Sequence, residues 1–166
     1  MADPEPAVED ASRSAVPNDE GTVEGSVVVG HDGSAGAEAA LREGLTLARA
    51  LGAPLVLVRA WSLVTAPHLP GEQFGYTPGL EEFGKAVHAS LIEDAAAATA
   101  EFPDVPVTYR TPHEGATQAL VGLSAEARLL VVGARGSGGL VGMLVGSVGE
   151  QCSRHASCSV LIARSR

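Results

Sequence analysis

Five short apolar runs constrain this chain more than any other feature. Ser26–Gly30, Leu55–Trp61, Val105–Tyr109, Leu129–Gly133 and Val160–Ala163 are rich in Val, Leu and Ile and are bounded by Gly, Pro, Asp or Ser. Runs of this length suit buried strands rather than helices. Between them lie stretches of helical character. A stripe at Ala39, Ala40, Leu47 and Leu51 stops at Gly52-Ala53-Pro54, Leu80–Phe102 contains the alanine run 95–98, and Ala116–Glu126 and about Ser147–His155 follow. Strands that are apolar on both faces must be covered on both faces, which calls for crossover helices and a parallel sheet. Right-handed crossovers then wind the sheet in two directions. The expected fold is α/β, a doubly wound five-stranded parallel sheet with helices on both faces. Pro106 cannot donate to a ladder, so the third strand belongs near an edge. Ligands of such sheets bind outside the carboxyl ends of the strands, where the winding reverses. The loops after strands one and four are therefore the places to search.

Charge narrows the function. The formal net charge is −9, and residues 1–24 hold seven acids against Arg13 alone. That stretch has no apolar periodicity and reads as a flexible acidic extension, with the folded domain at 25–166. The remaining residues carry thirteen acids and ten bases. Such a balanced body lacks the basic surface that binds a phosphate backbone, which argues against nucleic acid. No apolar run is long enough to cross a bilayer, and no secretory signal opens the chain. With Cys152 and Cys158 as its two thiols, a cytoplasmic protein without a disulfide framework is expected. His68, His88, His113 and His155 are scattered without metal-ligand spacing.

The segment after strand four is the chemically suggestive one. Seven of the twenty glycines lie between Gly133 and Gly149. Glycines let backbone N–H groups approach a ligand, and consecutive amides followed by a helix start at Ser147 make an anion nest. Lys85 is the only lysine, so the Walker pattern is absent. A flexible glycine loop without a ligand is the competing reading. Asp32, just past strand one, suits either a helix cap or a contact to ribose hydroxyls or a metal. Ser34 fits a helix cap better than a ligand contact. Arg135 either reaches a phosphate or stands in solvent.

The spacing Gly133-x2-Gly136-x9-Gly146-Ser147 resembles the G-2x-G-9x-G-[S/T] signature of ATP-binding universal stress proteins. The resemblance covers about residues 25–164 and includes Val27-Val28-Val29-Gly30-His31-Asp32-Gly33-Ser34 and Leu129-Leu130-Val131-Val132-Gly133. It implies strand order 3-2-1-4-5, an adenine-nucleotide α-hydrolase-like fold, and ATP, with Mg near Asp32, between the loops after strands one and four. By that resemblance Asp32 lies against the nucleotide and Ala60 contacts adenine. Val132 and Gly133 border ribose and phosphates, while Gly136, Gly146, Ser147 and Val148 wrap the phosphates. The family also implies a homodimer through the last strand, around Ser159–Ala163, and a regulatory role toward a protein partner not identified by sequence. His31 stands where the family commonly has an apolar residue, and Ser159 where it often has Pro.

No nucleophile elbow and no carboxylate cluster for two-metal chemistry is present. The expectation is a nucleotide-binding regulator rather than an enzyme. The alternatives are a slow ATP-hydrolysing or adenylyl-transferring protein of the same fold and a nucleotide-free interaction protein.

Overall fold

The computed structural model describes residues 21–66, 79–138 and 145–165. Its elements alternate as β1 (Val27–Gly30), α1 (Ala35–Leu51), β2 (Leu55–Val58), α2 (Leu80–Ala100), β3 (Val107–Arg110), α3 (Ala116–Leu123), β4 (Leu129–Gly133), α4 (Ser147–His155) and β5 (Ser159–Ala163). The five strands form one sheet of order β3-β2-β1-β4-β5, and every pairing is parallel. The doubly wound reading and the implied strand order both hold. Pro106 precedes the edge strand β3, and its carbonyl accepts from Leu55 N at 2.9 Å.

Period-two alternation divides the core. Val27, Val29, Leu55, Leu57 and Val131 face α1 and α2, where Leu41, Leu45 and Leu91 cover them. Val28, Val56, Val58, Leu130 and Val132 face the other way, toward Leu120 of α3 and Cys152 of α4. Close packing of α1 on β1 needs Gly44, where an added Cβ would lie 2.5 Å from the Val29 Cγ2.

Several boundaries differ from the sequence expectation. Helix α1 begins at Ala35, directly after the expected cap: the Ser34 hydroxyl accepts from Ala37 N at 3.1 Å. It ends on Gly52 at φ 61°, a left-handed cap that favours glycine. Strand β2 stops at Val58 rather than Trp61. There His31 N makes the last bond to Val58 O, and Arg59 and Trp61 continue to bond only the β3 side, at Arg110 O and Pro112 O. Strand β3 starts at Val107 rather than Val105, whose N–H turns back to Phe102 O. Residues 21–24, read from composition as part of the extension, pack on the domain. Val23 is buried in the core and Gly21 O accepts from Arg110 Nη2. Residues 1–20, most of the long loop expected after strand two and the middle of the glycine segment lie outside the described residues.

Candidate functional site

Because the chain winds from β1 outward to β3 and then jumps back to β4, the loops after β1 and β4 diverge and leave a crevice between them. A cleft of about 630 Å³ lies there. Its walls include Asp32, Ala60, Val132, Gly133, Arg135, Gly136, Gly146, Ser147 and Val148, so the structure brings all nine residues singled out from the sequence to one place. The cleft's apolar part is made by Val58, Val87, Leu120 and Trp61 among others. Trp61 is buried, donates from Nε1 to Thr111 O at 3.0 Å, and meets the His113 ring in a tilted contact with centroids 4.5 Å apart and planes at 40°.

The glycines of the β4 loop serve close backbone approach. A Cβ on Gly133 would sit 2.6 Å from the Gly36 carbonyl, and one on Gly36 would sit 2.1 Å from Arg135 O. The first turn of α1 is thus pressed against the chain leaving β4. Gly36 escaped the sequence reading. Its only signal was a glycine in the first turn of a helix, where it lowers propensity. At the other side of the cleft Gly146 N donates to Ala134 O at 2.8 Å. Gly146 is also the N-cap of α4 and has no side chain to occupy that helix's first amides.

Asp32 joins the two loops. Its Oδ1 accepts from Ser34 N at 3.1 Å and its Oδ2 from Ser137 N at 2.7 Å. Burial alone would raise this carboxyl, but the hydrogen bonds from Ser34 and Ser137 outweigh it and hold the group below the usual carboxylate range. Of the roles open to it in the sequence, capping α1 falls to Ser34 instead.

A second polar cluster forms the wall toward α2, and sequence reasoning missed it. Arg59 Nη2 donates to Asp94 Oδ2 at 2.6 Å and lies 2.7 Å from His31 Nδ1. Its Nε donates to His31 O at 3.3 Å and its Nη1 to Ser90 Oγ at 3.1 Å. With a guanidinium N–H pointing at Nδ1, the imidazole must be neutral with its proton on Nε2. Burial first, and then the Arg59 cation, depress the His31 pKa below its ordinary value. His31, Arg59 and Ser90 all line the cleft. These interactions span 28 to 35 residues of sequence and follow no local pattern.

Arg135 is exposed at the rim of the cleft. Among the described residues, no cluster of three or more His, Cys, Asp or Glu is arranged to hold a metal ion. Both cysteines are free; burial raises the Cys152 and Cys158 thiols above the ordinary range. No helix among the described residues is long and apolar enough to cross a membrane.

Residues 25–164 match the model of the universal stress protein family. Universal stress protein Rv2005c of Mycobacterium tuberculosis is 38% identical over 138 residues, covering 83% of this chain and 45% of the relative. Universal stress protein Rv2623 of the same species is 37% identical, covering 83% and 44%. The chain thus spans a little under half the length of these curated relatives. Among solved structures, a universal stress protein crystallised in complex with cAMP superposes with a TM-score of 0.62 at 25% identity, covering 87% of this chain and all of that one. The universal stress protein of Archaeoglobus fulgidus in complex with dAMP gives 0.56 at 20% identity, over 86% and 99%, and shares the fold. That fold is the adenine-nucleotide α-hydrolase-like sandwich, with four helices on a five-stranded parallel sheet among the described residues. Family match, curated relatives and architecture agree: the chain belongs to the universal stress protein family.

Proposed function

We propose that this domain is an ATP-binding regulatory module whose occupancy biases association with a protein partner or with a second copy of itself. The observation that carries the reading is the cleft's division into an apolar pocket beside Ala60 and a polar end built from backbone amides. The Gly146 N-cap leaves the first N–H groups of α4 free of side-chain competition, and a helix N-terminus favours anions. A glycine at 133, where a Cβ would meet backbone, keeps that end narrow. A solved relative bound to cAMP supports an adenine nucleotide as the class of ligand.

In this reading Ala60, Val58 and Val87 contact the base, Val132 and Gly133 border the ribose, and Gly136, Ser147 and Val148 with Arg135 hold the phosphates. Magnesium enters with the triphosphate, beside Asp32. ATP supplies charge and a ribose-phosphate handle for ordering the loops. A partner then distinguishes the two states, provided ATP binds them with different affinity. We read the site as non-catalytic, because the His31 imidazole that lines the cleft is buried and its Nδ1 is engaged by Arg59. The edge strand β5, with half-buried Val160, Leu161 and Ile162, is the surface we assign to a homodimer.

The test is calorimetric titration of Mg·ATP into the wild type and into a Gly146→Ala, Ser147→Ala double variant. A Cβ at 146 meets its nearest neighbour at 3.7 Å, an ordinary van der Waals distance, and Ser147 is exposed, so the variant folds. Removing a hydroxyl that donates to a charged phosphate predicts roughly ten-fold or greater weakening. Unaltered affinity refutes the site.

A further inference from the structure

The two oxygens of the Asp32 carboxylate each accept a backbone N–H, and the two donors differ in kind. Ser34 N, at 3.1 Å, belongs to the same turn. Ser137 N, at 2.7 Å, belongs to the glycine-rich chain leaving β4, 105 residues away. The short distance is that of a charge-assisted bond. It is reached only because residue 136 lacks a side chain: a Cβ there would lie 2.5 Å from the same Oδ2. A carboxylate is therefore seated on an amide of the segment whose amides suit anions.

Resting on the nucleotide reading above, we infer that Asp32 is a placeholder anion that selects among nucleotides by the charge of their phosphates. A phosphate oxygen and the carboxylate compete for the Ser137 N–H, and two anions so close repel. A bare triphosphate must displace the carboxylate without compensation. A triphosphate carrying a divalent cation presents a positive centre to Asp32, so the same carboxylate becomes attractive once it leaves Ser137. Adenosine, which has no phosphate, is indifferent to the Asp32–Ser137 bond. The cleft then prefers cation-loaded ATP to free ATP through a protein carboxylate.

The experiment compares the wild type with Asp32→Ala and Asp32→Asn. Affinities for adenosine and ATP are measured in EDTA, and for ATP with magnesium. A carboxylate that also serves the ribose affects adenosine and ATP alike when it is removed, so the informative quantity is the ratio of the two affinities in EDTA. The expected result is a shift of that ratio by about ten-fold toward ATP in both variants, with a smaller gain on adding magnesium than in the wild type. An unchanged ratio overturns the inference. Amide hydrogen exchange at Ser137 in nucleotide-free protein supplies an independent readout. Exchange that accelerates in Asp32→Ala by about ten-fold or more supports the placeholder bond, and equal protection overturns it. If no protein binds adenosine or ATP, the nucleotide reading falls and with it the selectivity, while the exchange data still decide whether Asp32 holds the loop.

Discussion

Replacing Gly36 by alanine sets a favourable local effect against an unfavourable tertiary one. Alanine is favoured over glycine in a helix by at most about 1 kcal/mol, and by less in the first turn where Gly36 stands. Against this, the new Cβ would be 2.1 Å from Arg135 O. The obstacle is a backbone carbonyl, so no rotamer change relieves it, and the atoms must part by about 1 Å to reach a tolerable separation. Overpacking of this kind costs about 1–3 kcal/mol, and a backbone clash belongs at the upper end. A net destabilisation of about 2 kcal/mol follows. Gly122 is the control, since it lies in α3 with nothing within 4 Å of an added Cβ. Gly122→Ala, in the last turn of α3, should be neutral or stabilise by up to about 0.5 kcal/mol. Urea unfolding followed by the fluorescence of buried Trp61 measures both, and titration with Mg·ATP asks whether Gly36→Ala also displaces the Arg135–Gly136 wall of the cleft. A shift of about 1 Å in such a wall is enough to weaken binding by an order of magnitude or more. If Gly36→Ala is as stable as the wild type and binds ATP equally well, the close approach of α1 to the β4 loop does not exist as described.

Two further predictions concern the Arg59 cluster. The His31 pKa is lowered in the folded state by burial and by Arg59, with Asp94, Asp32 and Glu38 partly offsetting this. Its stabilising contribution is therefore complete above the unfolded value near pH 6.5 and is lost as pH falls through the lower folded value. Unfolding midpoints measured from about pH 7 to about pH 5 should fall for the wild type and flatten for His31→Val, and parallel profiles would refute the assignment. Arg59 is 13% exposed at its side chain and Asp94 42%, so the costs of removing them are unequal. Arg59→Met strands the carbonyl of buried His31 and the hydroxyl of half-buried Ser90 and should cost about 2 kcal/mol, whereas Asp94→Ala should cost under about 1 kcal/mol because solvent screens that end of the pair. Equal costs in denaturant titrations would count against the hub role of Arg59.

The elements were legible because their signals are local. Apolar runs at Val27–Gly30 and Leu129–Gly133 are short, rich in Val or Leu and closed by Gly, which favours buried strands, and the Gly52-Ala53-Pro54 stop and the Ser34 cap lie within a few residues of what they terminate. Pro106 announced an edge strand through a missing N–H alone. The strand order came from similarity of motif rather than from periodicity, since any doubly wound order is consistent with the same runs. The nine cleft residues were found through a spaced glycine pattern and a family resemblance, and their meeting in one cleft depends on that order.

By itself, then, the sequence determined alternation, burial and the two loops worth inspecting. Tertiary structure decided which groups in those loops bear on one another. Asp32 on Ser137, Arg59 between His31 and Asp94, and Gly36 beneath Arg135 join segments 28 to 105 residues apart. Hydrogen bonds and steric exclusion act over a few ångströms in space, so an interaction between distant segments exists only after the sheet has set their distance.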